Sequence, residues 1–516
     1  MIQLAPGHIL DQYGNPIAKK QQARKDLVDA FAAVNQVNLN RRPVDATYDA
    51  ARTSDEFKNY WANADAYDAD SAHSYEVRTK LIQRSRYETG NNGYADGIAV
   101  TYANDLIGIG PSLRMQTGSE GFNRMIEASW YAWTKQIQFR RKLWTKAHAK
   151  HQDGEGFGVI RQNRRLKHPV KLDVVLFEAE MCHTPYLPYG EEGYIPGIKF
   201  DEFGNPVWYD ILKSHPGSTY QIGMTNEVEQ VPARFVLHWF KMRRPGQHRG
   251  IPEIASTLNL GAASRRWRES TLAAADNIAN FALFLKTMFQ PDEMDQVSAM
   301  STMDIQRRMM TALPMGWEAF QPRAEQPVAT YESFNKSLIG EQARPKNMPL
   351  NKAACDSSSY NYASGRLDHA TYYGSLDIDR ADCEDAVLDP LFDVWFEAAI
   401  LVHGWLGGDP EVVGESAKMH TWDWPKHYVA DIQSEASANK TNLETGATDW
   451  ARVIAESGLD PNDEIIEQAT TYGVTPEQMR TVALIRNLPQ HVIPYAIALI
   501  ERGQMMPGTT EMTVNV

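Results

Sequence analysis

Only three cysteines stand in 516 residues, Cys182, Cys355 and Cys383, widely spaced and with no CxxC pair. An odd number at that spacing argues against a disulfide framework or a cysteine zinc site and fits a reducing compartment. No run of about 18 uncharged apolar residues occurs, so no helix is expected to span a membrane. Met1 to Asp11 lacks the basic-then-apolar layout of a secretory signal, and none is expected. Positive charge is also short: 52 Lys and Arg face 65 Asp and Glu, a formal net charge of −13. Wrapping DNA over a broad surface draws its affinity from Lys and Arg displacing counterions, so that role is disfavoured. A conduit is not disfavoured, because acidic walls facing phosphates keep a duplex sliding. No GxxxxGK[ST] is present, which excludes a P-loop motor. Gly108-x-Gly110 lacks the third glycine, the preceding strand and the following helix of a dinucleotide fingerprint.

What is present is ordinary for a folded protein, 43% apolar and 23% charged residues. The length implies about two to four structural regions. A polar arm with one helix over Lys19–Asn35 leads into a helical pattern from Ser54 to Asn104. There Arg78, Arg84 and Arg86 take polar positions and Asn91-Asn92-Gly93 marks a turn. Helix resumes from Glu120 to Gln152 with Trp130, Trp133 and Trp144. From 154 to 240 short β-type runs alternate with Pro and Gly. Leu10 to Ile17 and Phe200 to Val207 echo each other as turns, the second inside a hairpin. Ile254 to Thr287 is helical, beginning there or at Gly261, and roughly 50 Å long if wholly helical. Arg265, Arg266 and Arg268 form its charged face, with Glu269 placed to pair with Arg265. A short helix is expected near Thr302–Thr311. A long helical pattern runs from Ser364, with Asp389-Pro390 predicting a cap, an N1 proline and a break or kink. Small helices follow: Asp460-Pro461 opens one that Gly473 ends, and Thr475-Pro476-Glu477-Gln478 is a capping box. Residues from Met505 are expected to be disordered.

The nearest approach to enzyme chemistry is His148-Ala149-Lys150-His151-Gln152-Asp153-Gly154-Glu155. Two imidazoles and two carboxylates could hold a divalent metal that activates water, giving a metal-dependent nuclease or hydrolase. The spacing matches no established ligand pattern, and neighbouring basic residues would compete, so a helix end running into a turn is preferred. Gly246-Gln247-His248-Arg249-Gly250 is a Gly-bounded basic loop, read first as a surface turn and second as a phosphate contact. Thirteen Trp and 19 Met are read as core and subunit packing rather than base stacking.

Several segments, in order, resemble the lambda-type family of bacteriophage portal proteins. Arg84-Ser85-Arg86, Asn91-Asn92-Gly93-Tyr94-Ala95 and Asn104-Asp105-Leu106-Ile107-Gly108 are similar to its opening block. Gly154-Glu155-Gly156-Phe157 resembles its next element, which weakens the metal reading. His238-Trp239-Phe240, with Arg243 through Pro252, resembles the junction into a stem helix. Tyr331 to Arg366 resembles the block that ends here in Asn361-Tyr362-Ala363-Ser364-Gly365-Arg366, and Trp424-Pro425 to Gly446 the last shared element. The chain departs from the family where Arg344-Pro345-Lys346-Asn347-Met348-Pro349 replaces a Gly-Val-Pro turn and where Ala363-Ser364 replaces paired serines.

The resemblance implies an α+β, mainly helical portal fold with an N-terminal arm (1–45), a wing (46–252 and a long helix 363–405), a stem (253–288 and 330–345), a clip (289–329), a tunnel loop (346–362) and a helical crown with C-terminal tail (406–516). It implies a non-enzymatic subunit of a ring, commonly a dodecamer, at one capsid vertex of the virion, assembled in the host cytoplasm. Double-stranded DNA would pass through it during packaging and ejection, without sequence preference. The implied partners are the terminase large subunit, the major capsid protein or scaffold, and the head-tail connector; no cofactor, metal or membrane is implied. Candidate channel-lining residues are Arg265, Arg266 and Arg268 on the stem and Arg344, Lys346, Asn347 and Lys352 near the loop, each with an intersubunit salt bridge as the alternative. Ring closure needs apolar faces left open by the monomer, for which Trp395, Phe396 and Trp405 are the expected residues.

Overall fold

The computed structural model describes residues 59–62, 64–185, 193–220, 227–280, 284–287, 317–320, 331–358, 360–408, 414–427, 432–448, 450–456, 461–487 and 493–501. The arm, the helix at 19–35, the first of the echoing turns, the helix at 302–311, most of the clip and the tail from 505 lie outside these residues. The chain divides into two compact units, Met1–Ala66 and Tyr67–Val516. In the first, the described residues hold a turn closed by the Ala64 N–H on the Trp61 carbonyl.

The second unit is mainly helical with small antiparallel sheets. It opens with α1 (Ala69–Ala72), α2 (Tyr75–Asn91), α3 (Gly93–Ile107), β1 (Ser112–Met115), α4 (Glu120–Gln136) and α5 (Phe139–Asp153). Strands β2 (Glu155–Gln162), β3 (Leu172–Phe177), β4 (Tyr194–Ile195), β5 (Ile198–Phe200), β6 (Pro206–Leu212), β7 (Val228–Pro232) and β8 (Val236–Phe240) follow. Next come α6 (Leu258–Asn280), β9 (Phe284–Thr287), β10 (Trp317–Phe320), α7 (Tyr331–Ala343), α8 (Leu350–Ala354), α9 (Tyr362–Cys383), α10 (Asp389–His403) and β11 (His420–Asp423). The last are α11 (Ile432–Thr445), α12 (Trp450–Glu456), α13 (Pro461–Tyr472), α14 (Pro476–Asn487) and α15 (Ile493–Glu501). The sheets run β3-β2-β8 and β4-β5-β6-β7, with two-stranded ladders β1–β11 and β9–β10.

Local chemistry explains most boundaries. Asn92 both ends α2 and starts α3, its side-chain oxygen accepting from the Tyr94 N–H. The predicted helical block 120–152 is two helices, because Gln138 takes a left-handed conformation at φ 54° between α4 and α5. The hairpin at 200–207 forms as expected between β5 and β6. Its turn is held by Asp201, whose carboxylate accepts from the Phe203 and Asn205 N–H groups. The capping box at Thr475–Gln478 is reciprocal, Thr475 N–H to Gln478 Oε1 at 3.0 Å and Gln478 N–H to Thr475 Oγ1 at 3.2 Å. Gly473, at φ +67°, closes α13 as its spacing predicts. Helix α6 starts at Leu258, before Gly261, and ends at Asn280 rather than at Thr287, since Phe284–Thr287 pairs as a strand with β10; it spans about 35 Å. A Cβ at Gly261 would meet Glu88 Oε1 at 3.2 Å, so the glycine serves the approach of α6 to α2.

Two expectations fail at the long helix. No break occurs at Asp389-Pro390; residues Glu384–Leu388 form a π-helical turn that joins α9 to α10. Pro390 has no N–H to donate into the helix, and the wider turn before it absorbs that loss. Asp389 is not a cap: its carboxylate accepts from Trp422 Nε1 at 2.7 Å and contacts His420 at 3.3 Å, fastening the helix to β11. Trp395 and Phe396, expected on an open face, are both 0% exposed. They lie in the main core, where Trp130 meets Trp395 at 5.0 Å edge-to-face and Trp422 at 5.6 Å. Trp405 is half-buried against Phe122 and His403. Helices α6 and α7 pack together through Trp267, stacked on Tyr331 at 4.9 Å and edge-on to Phe334 at 5.0 Å.

Candidate functional site

Three of the quoted motifs, around Arg86, Glu155 and His238–Pro252, converge on one buried junction where α2, α5, β2 and β8 meet the entry to α6. Gly154 ends α5 at φ +90°, and a Cβ there would lie 2.1 Å from the Ile251 carbonyl carbon. Gly250 answers from the other side: its Cβ would sit 2.2 Å from the Gly154 oxygen. Only glycines let these two backbones touch, and their contact sets Glu155 opposite Arg249. The guanidinium grips the carboxylate in two-pronged fashion, Nε to Oε1 at 2.7 Å and Nη2 to Oε2 at 2.8 Å. The Gly250 N–H donates to the same Oε1 at 2.7 Å, and His238 Nε2 lies 3.3 Å away. Burial opposes the Glu155 charge, but Arg249 and His238 outweigh it and hold the carboxyl well below its usual range. Burial pulls His238 down to about 4, so near neutral pH the Arg249–Glu155 pair carries the charge here. The basic loop 246–250 is therefore not a surface turn: Gln247 is buried, accepting from the Arg243 N–H and donating to the Arg249 carbonyl.

A second buried cluster lies beside it. Lys150 Nζ reaches Glu253 Oε1 at 2.9 Å and Asp379 Oδ1 at 3.3 Å. Lys346 pairs with Glu253 and lies 3.4 Å from Asp379 Oδ2, its ammonium 3.4 Å from the Tyr102 ring centre. Tyr102 donates to Asp379 Oδ2 at 2.8 Å, and Lys241 approaches Asp379 from a half-exposed position at 3.3 Å. Burial opposes the Asp379 charge, yet Lys346, Lys150 and Lys241 together hold this carboxyl below its usual range. Burial and the Lys150 charge push Lys346 well down. Removing one member of such a set strands the opposite charge in a dry interior, at a cost of about 3–5 kcal/mol. The cluster ties α5, the entry to α6, the segment after α7 and α9 into one unit.

The four residues of the metal reading do not converge. His148 stacks on Trp144 at 5.4 Å. His151 is fully buried against Tyr102, and burial and the nearby Lys346 charge keep it neutral. Asp153 is held by Arg86 through two bonds of 2.8 Å, and Glu155 is taken by Arg249. A water-activating metal needs these oxygens and nitrogens on one centre, and both carboxylates are already held by arginines. Among the described residues, Glu178, Glu180 and His215 come together, but Arg86 already neutralises both carboxylates, at 3.0 and 2.9 Å.

The seven candidate channel residues fall into three groups. Lys346 is buried, its charge met inside the chain. Arg265, Arg268 and Lys352 are half-buried and engaged. Arg265 pairs with Glu88 at 3.3 Å rather than with Glu269, Arg268 donates to Asn92 at 2.8 Å, and Lys352 pairs with Asp105 at 2.7 Å. Arg266 and Arg344 are exposed; Arg344 donates to Asn347 at 2.9 Å, and Asn347, left-handed at φ 53°, donates to Ser375. The segment expected as the tunnel loop, 346–362, follows a tight turn at 344–346 and contains α8, packed on α3 and α7.

The reading by residue type missed the ion pairs themselves. Arg78, expected on a polar face, is 4% exposed, and burial and Arg249 pull it down to about 10. Glu253 stands among apolar residues, and Asp379 is one of several carboxylates in the run Asp377–Asp385, where nothing in the spacing singles it out. The usable signal was the glycine spacing around Glu155 and Arg249, two Gly-flanked charges of opposite sign.

Comparison with known proteins gives consistent matches. The profile of the family described as "Phage portal protein, lambda family" matches residues 56–374. A protein of Halomonas phage phiHAP-1 described as "Probable portal protein" is 22% identical over 485 residues, covering 88% of each chain. Among solved structures, a chain from the neck of an empty gene transfer agent particle computed with C6 symmetry is similar at TM-score 0.41 and 13% identity. That match covers 77% of this chain and 94% of the other. A chain from the virion of a native gene transfer agent particle gives TM-score 0.36 and 14% identity, over 77% and 94%.

Proposed function

The chain belongs to the lambda family of phage portal proteins, and we propose that it acts as a non-enzymatic subunit of a ring at one capsid vertex of the virion. In this reading the ring, a dodecamer assembled in the host cytoplasm, passes double-stranded DNA during packaging and ejection. It docks the terminase large subunit, the capsid protein or scaffold, and the head-tail connector. Residues 46–252 with 363–405 form the wing, α6 and α7 the stem, 289–329 the clip, 346–362 the tunnel segment and 406–516 the crown. Arg266 and Arg344 are the channel-facing cations, because their charge is not met by a carboxylate among the described residues. Arg265, Arg268, Lys346 and Lys352 instead stiffen the subunit.

The observation that carries the ring is the outward side of α9. Ala363, Leu367, Ala370, Gly374, Ile378 and Ala381 recur at helical spacing and are exposed, Leu367 at 71% and Ile378 at 63%. An apolar stripe this long on a 22-residue helix is what a neighbouring copy covers when a head-to-tail interface closes into a ring. Electron microscopy of the purified protein tests the proposal: ring particles of fixed stoichiometry are expected, and their absence under every assembly condition tried would sink it.

A further inference from the structure

The strongest unassigned feature is a cationic corner on an otherwise acidic chain. Between Ala128 and Leu172 the only carboxylates are Asp153 and Glu155, both buried in the junction. Over the same stretch Lys135, Arg140, Arg141, Arg164, Arg165 and Lys167 are exposed, and none forms an ion pair among the described residues.

Four hydrogen bonds bring the segments that carry these side chains together. Asp173 accepts from Lys142 Nζ at 2.5 Å and from Asn163 Nδ2 at 2.9 Å, so the β2–β3 loop lies against the first turn of α5. Trp133 Nε1 donates to the Leu172 carbonyl at 2.8 Å, and the His168 N–H donates to Gln136 Oε1 at 2.7 Å, fixing the loop to the end of α4. Each exposed cation is therefore within about two residues of a cross-contact. The loop is also braced internally: the Arg165 N–H donates to Asn163 Oδ1 at 3.1 Å and Lys171 Nζ to the Leu166 carbonyl at 2.5 Å. The corner is a built surface on which two adjacent arginine pairs are displayed.

We infer that this corner is a binding surface for the phosphate backbone of duplex DNA, separate from the channel-facing residues. The inference rests on reading the chain as one that handles DNA. Charge composition decides between a polyanion and a protein partner. The core of a protein interface is depleted in charge and built on aromatic and apolar side chains. Here cations dominate, with Tyr131 as the large exposed aromatic beside Lys135. Four of the six are arginines, whose planar fork suits phosphate oxygens. Such contacts hold DNA without reading sequence.

The test uses the full-length protein and a covalently closed circular duplex of mixed sequence, which cannot thread a closed ring. Gel-shift titrations from 50 to 200 mM NaCl should give a log–log salt slope of about −4 to −5 if most of the six cations engage phosphates. Arg164→Glu with Arg165→Glu should weaken binding by at least about tenfold at 50 mM salt. Lys440→Glu, at an exposed site on α11, should leave binding unchanged. Absence of wild-type binding, equal binding by the double variant, or displacement by poly-glutamate but not by competing duplex would each overturn the inference. Electron microscopy of the same samples keeps the two readings apart. Intact rings with lost affinity assign the corner, whereas binding without rings removes the conduit and leaves the corner standing.

Discussion

Arg249 shows how much a single side chain holds in this protein. Besides Glu155 it donates to the carbonyls of Cys182 at 3.1 Å and Pro196 at 2.7 Å, so it joins β2 to the β4–β7 sheet. Arg249→Met should cost about 3–5 kcal/mol in urea unfolding, because Glu155 is left charged and dry. Arg249→Met with Glu155→Met should cost less than the single change; equal or greater loss would show that the pair's charge is not what matters. Lys146 makes a pH prediction. Burial pulls its ammonium down from 10.5 to about 7, with Nζ donating to the Leu237 carbonyl. The unfolded chain keeps this proton up to 10.5 and the folded chain releases it near 7. Unfolding thus takes up a proton throughout that window, and raising the pH favours the folded state. Lys146→Met should flatten the rise in stability between pH 7 and 9.5 by at most about 1.4 kcal/mol per pH unit. An unchanged slope in the variant refutes that assignment.

Elements were legible wherever their signal was local. The capping box at Thr475, the glycine stop at Gly473, the hairpin around Asp201 and the helical pattern of α6 all depend on neighbours in sequence. The π-turn at Glu384–Leu388 was not legible, because proline says that a hydrogen bond is missing but not how the backbone absorbs the loss. The apolar side of α10 pointed to the wrong surface for a related reason. Periodicity shows that Trp395 and Phe396 share a stripe, and only the packing of α4 and β11 decides that this stripe is interior. The outward stripe of α9 remains for a partner. Leu367→Asp with Ile378→Asp should leave the melting temperature of the subunit nearly unchanged, since surface changes cost within about 0.5 kcal/mol. The same pair should abolish rings under electron microscopy, and rings of normal number would exclude α9 from the interface.

At the scale of the molecule, family motifs were legible as a series but their purpose was not. Arg84–Arg86, Gly154–Phe157, His238–Phe240 and Arg249–Pro252 are distant in sequence, and nothing in their spacing says that they meet. In the fold Ser85 and Arg86, Glu155, His238 and Arg249 meet at one junction, and the metal reading failed because each of its carboxylates already had a distant arginine. This arrangement has a consequence in time. Lys150 and its partner Asp379 are 229 residues apart, so at about 5–20 residues per second the ammonium waits on the order of ten to fifty seconds for its second counterion during synthesis. Until residue 379 leaves the ribosome the nascent subunit can collapse but cannot lock. The late arrival of α9, which carries both Asp379 and the outward stripe, makes completion of the fold and readiness for a neighbour the same event.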